Sequence, residues 1–329
     1  MNRNIVRSNN EFFFNLYQKL NKELLEEILD VELDVLLLEK YYLGQKIDLY
    51  GVIKGITTEV FIESMLSRSD RRHLDFLLKL IDNIENNAII IFQAESFTDK
   101  IIEKILGKIK TSGKAIDFYA IEIDKTLIKE VEALKKIHFL KVTEKLCHIE
   151  ASNPFNIVDK YISIKEHRVL KGVERQNISR VEGRNEMLIN EIRKKLYYFP
   201  TVFREKRCID NRILSYSAGK SDVNYFISVE DRNGNSFVSV EFSRETENIY
   251  RKVKRRRQSF REKVGYDVKF DDVNLIIRTE LIDREFIYKT IDDLAQIFER
   301  YVFYLSNYIF YYGTNMEDSM WNQHKEGTL

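Results

Sequence analysis

The sequence predicts an α/β protein built in two parts: a mixed sheet flanked by helices, then a second α+β domain of α-β-β-β-α-β-α order. Three observations point there. Over the first 150 residues the apolar pattern reads helix, three strand-like runs, helix, strand, helix, strand, and three strands followed by a β-α-β crossover suit a mixed sheet with helices on its faces. At 329 residues the chain is long for one hydrophobic core. With 2 Pro and 12 Gly, little of it is suited to long linkers. The expected division is 1–150 for the first domain, 151–183 for a connecting segment and 184–329 for the second domain.

The elements follow in order. Phe12, Phe13, Leu16, Leu20, Leu24, Ile28 and Leu29 recur at helical spacing and predict one helix over 11–29. Strand-type runs cover 33–38, 46–53 and 59–62, with Gly55 at the turn between the last two. Ser69 or Asp70 can cap the next helix, whose apolar face is Leu74, Leu77, Leu78 and Ile81. Residues 88–92 form a continuous apolar run of buried-strand type, Thr98 opens a helix to Ile109, and 116–123 is a further strand. Residues 150–180 are polar and weakly patterned. The second half predicts a helix over 185–196 and strands over 213–216, 224–229 and 236–242, with Asn233-Gly234 as a two-residue hairpin signal. A long helix over 245–264, a strand over 273–278 and a last helix over 287–312 complete it. The shared element order raises a duplicated architecture as an expectation.

Composition excludes several classes. Net charge is +1, so the molecule as a whole does not announce a polyanionic partner. Cys147 and Cys208 stand far apart in no motif, and five scattered His show no ligand spacing. A disulfide framework and a zinc site are therefore not expected. The N-terminal segment lacks the apolar core of a signal peptide. The greasiest run, 301–312, is too short to span a bilayer. The expectation is a cytoplasmic protein with no membrane partner.

The chemistry concentrates between Gln45 and Leu78. Asp48 lies in one strand-like run and Glu63 ends the next, just before an amphipathic helix. Two acids on neighbouring strands of a hairpin can point at one spot and share a divalent cation. Hydrolysis of a phosphodiester needs charge stabilisation and an activated water, and carboxylate-held Mg²⁺ supplies both. On the third strand Glu59, Phe61 and Glu63 share one face. In a chain with 52 acids, the alternative is two ordinary solvated strand residues.

These residues resemble the PD-(D/E)XK nuclease-like superfamily, the restriction-endonuclease-like fold. Its core is α-β-β-β-α-β, with an acid on the second strand and (D/E)-x-K on the third. A bacterial branch with an acid-led "DLL" strand, a strand ending I-E-N-Q or I-E-N-K and a helix opening "D-H-D-H-L" looks closer. Its counterparts here are Asp48-Leu49-Tyr50, Ile62-Glu63-Ser64-Met65 and Asp70-Arg71-Arg72-His73-Leu74. The region 185–310 resembles the domain of unknown function (family 4268) that such proteins often carry, at Ser215-Tyr216-Ser217-Ala218-Gly219 and 238–242. The resemblance implies Asp48 and Glu63 as catalytic metal ligands, Mg²⁺ as cofactor, DNA ahead of RNA as partner, and a role in restriction or anti-phage defence.

The pattern breaks at Met65, which stands where the motif lysine belongs. A thioether can neither orient water nor stabilise developing negative charge. Lys46, two residues before Asp48, and Lys79, two turns along the following helix, are substitutes to test. Arg71, Arg72 and His73 open that helix. The sequence admits both a working site and an inactive one.

A second feature is the run 251–263, with eight positive charges against one negative. Ile249, Val253, Phe260 and Val264 form one apolar stripe, so the helix can dock through it and present Lys252, Lys254, Arg255, Arg256, Arg257 and Arg261 outward. Arginine clusters suit phosphate backbones. The bland alternative is a solvated face balanced by Glu241, Glu245 and Glu247. Tyr301, Tyr304, Tyr308 and Tyr311 on the last helix suit a core or a homodimer interface. The leading expectation is a nucleic-acid-binding protein of nuclease fold. The alternative is an interaction or regulatory subunit without nucleic-acid binding.

Overall fold

The computed structural model describes residues 3–85, 87–151, 153–164, 180–204, 212–281 and 286–310. Cys208, Tyr311 and about half of the expected connecting segment fall outside them. The chain divides into two compact units, one made of 1–137, 144–175 and 203–205, the other of 138–143, 176–202 and 206–329.

In the first unit α1 (Arg3–Leu20) and α2 (Glu23–Leu29) precede β1 (Leu33–Tyr42), β2 (Gln45–Ile53) and β3 (Glu59–Arg68). Then come α3 (Arg71–Asn83), β4 (Ala88–Ser96), α4 (Asp99–Ser112), β5 (Ile116–Ile123), α5 (Lys125–Ala133), the short α6 (Val142–Cys147) and β6 (Phe155–Tyr161). The six strands lie in sequence order in one sheet. β1, β2 and β3 are antiparallel, β3–β4 and β4–β5 are parallel, and β5–β6 is antiparallel. This is the mixed sheet flanked by helices that the pattern predicts. One helix over 11–29 is corrected to two: Asn21 Nδ2 donates to the Tyr17 carbonyl at 2.8 Å, and the chain turns there. β6 is a second correction, because its residues had read as connecting segment. It sits at the sheet edge, where Ile157 and Val158 stay exposed, so no periodicity betrays it.

The central strands β3, β4 and β5 are buried on both faces. Leu74, Leu77 and Ile81 of α3 and Ile102, Ile105 and Ile109 of α4 pack on Phe61, Ile90, Phe92 and Phe118. α1 packs against β1, β2 and β3. Asp70, not Ser69, caps α3, its carboxylate accepting from the His73 N–H at 3.0 Å.

The second unit contains α7 (Arg180–Lys195), β7 (Leu214–Ser217), β8 (Val223–Ser228), β9 (Ser236–Phe242), α8 (Glu247–Arg255) and α9 (Arg257–Val264). β10 (Lys269–Asp271), β11 (Ile276–Leu281) and α10 (Ile287–Phe310) follow. Its sheet runs β10-β11-β9-β8-β7 and is antiparallel throughout. The units therefore differ in element order as well as in sheet topology, and the duplication is not found. The strand expected over 273–278 starts later, because Asp271 accepts from the Val273 and Asn274 N–H groups and turns the chain. The Asn233-Gly234 turn sits inside a longer loop organised by Asp231, which accepts from the Asn233 and Asn235 N–H groups at 2.9 and 2.7 Å.

The helix over 245–264 is broken at Arg256 (φ −107°, ψ 25°), where its N–H bonds to the Val253 carbonyl in a tighter turn. The stripe survives the break: Ile249, Val253, Phe260 and Val264 are all buried. Tyr301, Tyr304 and Tyr308 are buried within the same unit. Tyr301 and Tyr304 pack on Phe260, so these rings build the core and are not an open homodimer face. No helix among the described residues is long and apolar enough to cross a membrane.

Gly219 has φ +82°, and a Cβ there would lie 2.8 Å from the Phe139 ring. Gly219→Ala combines left-handed strain with overpacking and is expected to cost about 2–4 kcal/mol. Urea unfolding checks it; wild-type stability in the variant would refute the packing described.

Candidate functional site: a buried acid pair on the first sheet

The site begins with strand register. Leu49 pairs with Ile62 across β2 and β3, and one further step sets Asp48 opposite Glu63. The ladder ends there. The N–H of Ser64 instead meets the Asp48 carboxylate, with Oδ2 at 3.0 Å. Asp48 thus serves as the hydrogen-bond partner at the point where the two strands part, which holds its carboxylate beside β3.

Across β1, the position facing Asp48 is Glu39, flanked by the Leu38–Leu49 and Lys40–Ile47 pairs. Glu39 has φ +58°, a conformation uncommon for a non-glycine residue and notable within a strand. Its carboxylate meets Lys46 Nζ at 3.0 Å and Arg204 Nε at 3.2 Å. Arg204 also lies over the Phe12 ring at 4.1 Å.

Glu63 is 9% exposed, and its Oε2 has no hydrogen-bond partner. Its Oε1 lies 4.0 Å from His73 Nε2. The other ring nitrogen of His73, Nδ1, is 2.8 Å from Asp70 Oδ1, which fixes the ring in place. On the opposite face of β3, Ser64 Oγ donates to Gln93 Oε1 at 2.9 Å, and Gln93 Nε2 donates to Gln18 Oε1 at 2.7 Å. Gln18 Nε2 contacts Asn15 Oδ1 and Ser64 Oγ, each at 3.4 Å. Beneath the acids the buried polar groups are satisfied; at Glu63 one is not.

Electrostatics follow from this placement. Burial raises the Asp48 carboxyl to about 6, against the Ser64 hydrogen bond and the charge of Lys46, which lower it. Burial and then the Asp48 charge push Glu63 well above the usual carboxylate range. Lys46 and Arg72 oppose that rise. Two carboxylates that resist joint ionisation form a place where a cation would be stabilising.

Among the described residues, no group of three or more His, Cys, Asp or Glu side chains is gathered to hold a metal. Asp48 and Glu63 offer at most two protein carboxylates, so a cation held there would have to take its remaining ligands from water, backbone carbonyl or phosphate oxygens, as Mg²⁺ does. The orphaned Glu63 Oε2 fits the same group.

Of the other residues singled out by the sequence, Lys46 is the base closest in effect, acting on both acids. Met65 is buried. Lys79 is exposed on α3, and Arg71 is exposed with Asp75 3.9 Å away. Glu39 and Arg204 were missed. No motif marks Glu39, and Arg204 lies far from it in sequence. His73 carries more of the geometry than a capping residue would.

In the second unit Arg255, Arg256 and Arg257 are exposed. Arg251 is paired with Glu247 and Lys254 with Asp272. Arg261 donates to the Val268 carbonyl through Nε and Nη2 at 3.2 and 2.9 Å, and Lys252 is half-buried. The bland reading of the run holds for part of it, and its exposed guanidinium groups centre on the helix break.

No protein-family model matches the chain, and no curated protein matches it, so neither family resemblance gains support from that side. Among solved structures the chain is similar to that of Pyrococcus furiosus SfsA in complex with Ca²⁺, at 18% identity over 32% of this chain and 54% of that one, with a TM-score of 0.21. The match thus spans about half of that protein, and a superposition this loose carries no argument about function.

Asp48 supplies a pH test. At low pH both the folded and the unfolded chain hold its proton. As pH rises from about 4, the unfolded chain releases it first. Stability at this residue should therefore fall until pH passes about 6, where the folded state has released it too. The loss is of the order of 3 kcal/mol. Asp48→Asn, which keeps an acceptor for Ser64, should be more stable than wild type at pH 7.5 by about 1–3 kcal/mol and flatter across pH. Chemical denaturation at several pH values measures this; a destabilised Asp48→Asn at pH 7.5 would contradict it.

Proposed function

We propose that this chain is a nucleic-acid-binding protein of nuclease-like fold, acting on DNA in restriction or anti-phage defence. In this reading Asp48 and Glu63 hold one Mg²⁺. The observation that carries it is the buried Glu63 Oε2, without a hydrogen-bond partner, beside a second carboxylate that burial also penalises. A bound Mg²⁺ would supply positive charge to a phosphate oxygen.

The chain's own residues have separate tasks. Asp48 and Glu63 present oxygens at the parting of β2 and β3. Asp70 holds the His73 ring against Glu63. Lys46, 44% exposed and held by Glu39, offers an ammonium beside the pair. Arg255, Arg256 and Arg257 offer guanidinium groups to backbone phosphates from the second unit. Met65 can neither donate nor accept a proton, so binding is proposed ahead of cleavage. The effect of Lys46 on both acids favours a second reading, in which it substitutes for the motif lysine and phosphodiester hydrolysis is retained.

Two measurements test the reading. Millimolar Mg²⁺ should raise the melting temperature of wild type and leave Asp48→Asn and Glu63→Gln unmoved, since binding to the folded state alone is stabilising. An equal response in all three would remove the cation from this site. If hydrolysis is retained, Lys46→Gln should abolish cleavage while binding persists; cleavage unchanged in that variant would remove Lys46 from the chemistry.

The basic run is tested by replacing Arg255, Arg256 and Arg257 with Gln, which keeps helix propensity. Loss of up to three phosphate contacts should flatten the log-affinity against log-salt slope by about 2–3, similarly for all sequences. Fluorescence anisotropy at several salt concentrations measures the slope. An unchanged slope in a folded variant would favour the interaction-subunit alternative.

A further inference from the structure

The antiparallel sheet of the second unit has one covered face and one face that opens into a cleft. On β9, Val238, Val240 and Phe242 point into the core, while Phe237, Ser239 and Glu241 point the other way. Their cross-strand partners bring Phe226 and Arg278 beside Ser239, and Ile276 beside Glu241. These residues line a cavity of about 480 Å³, within the ordinary size of small-ligand clefts.

The charges lining it are not equivalent. Arg278 lies over the Phe237 ring at 3.8 Å and contacts Glu280 at 2.9 Å and Asp231 at 3.7 Å. Lys269 is paired with Glu280 at 2.7 Å. Asp271 is occupied by the turn that follows it, accepting from Asn274 Nδ2 at 2.7 Å. The Glu241 side chain is half-buried and makes no hydrogen bond or ion pair with the described residues, while its backbone pairs in the sheet. Burial raises its pKa, with only partial relief from the charge of Arg278. It is a half-buried carboxylate beside the apolar side chains of Phe226 and Ile276.

We propose that this cleft receives the side chain of an arginine or lysine carried by a partner polypeptide. Its cationic tip would pair with Glu241, and its methylene stem would lie along Phe226 and Ile276. Both halves of such a side chain are matched, since long basic residues carry an apolar stem and a charged head. The Phe226 ring adds a cation–π contribution. A phosphate-bearing ligand is a poor fit, because both lining bases are already neutralised while the free charge is negative. The site is independent of the acid pair and of the basic run.

Isothermal titration of the full chain with the blocked peptides acetyl-Gly-Arg-Gly-amide and acetyl-Gly-Gln-Gly-amide tests the proposal. The arginine peptide should bind saturably and the glutamine peptide should not. Glu241→Gln, nearly isosteric, should weaken the arginine peptide about tenfold or more, as expected for loss of a charge-assisted pair. Phe226→Leu, which keeps apolar packing, should weaken it by about twofold to fivefold. Circular dichroism establishes that each variant is folded; should Glu241→Gln fail to fold, Phe226→Leu decides alone. Absence of saturable binding, equal binding of both peptides, or unchanged affinity in the folded variants overturns the proposal. Free arginine binding as tightly as the peptide would overturn the assignment to a partner polypeptide.

Discussion

The arrangement of the first unit turns on the Ser64 N–H to Asp48 contact. Where β2 and β3 stop pairing, a backbone donor on a buried strand needs a partner, and leaving it unmade would cost about 1–3 kcal/mol. A carboxylate from the adjacent strand fills the gap. That places an acid opposite Glu63, itself fixed by the parallel pairing of β3 with β4 at Phe92. The same geometry that completes the backbone hydrogen bonding therefore brings together two like charges where burial disfavours them.

The surroundings divide into satisfied and unsatisfied groups. Asn15, Gln18, Ser64 and Gln93 bond to one another and hold β3, β4 and α1 in one register. A fully paired network of this kind rigidifies a core. Glu39, Lys46 and Arg204 form an ionic shelf on the β1 side. Glu63 Oε2 has no hydrogen-bond partner, and neither do Arg204 Nε on the shelf and Asn10 Oδ1 on α1; of the three only Glu63 belongs to the acid pair. The left-handed backbone at Glu39 belongs to the same pattern of local cost beside a candidate site.

The second unit solves a different problem. It buries a thick aromatic layer, in which Phe298 contacts Tyr216 and Tyr225 while Phe260 contacts Tyr301 and Tyr304. That layer lies on one face of the sheet. The other face carries Glu241, Arg278 and Phe226, which line a cleft away from the basic helix break.

The sequence by itself determined much of this. Its alternating and helical periods placed three strands before α3, the β4–α4–β5 crossover and the buried stripe through Val253 and Phe260, because burial on a regular element leaves a regular pattern. The acids Asp48 and Glu63 were legible for the same reason, as was the break in the motif at Met65. What only the tertiary structure decided was set by contacts without periodicity. Edge pairing made β6 a strand despite its exposed side chains. The antiparallel pairing of the second sheet separated two units whose apolar patterns look alike in sequence. His73 came to lie beside Glu63, Glu39 to face Asp48, and Arg204 to contact Glu39, and no local spacing encodes such a chain of contacts. The raised pKa values of Asp48 and Glu63 likewise arise only in the fold, for a carboxylate's need of a partner depends on whether folding removes it from water.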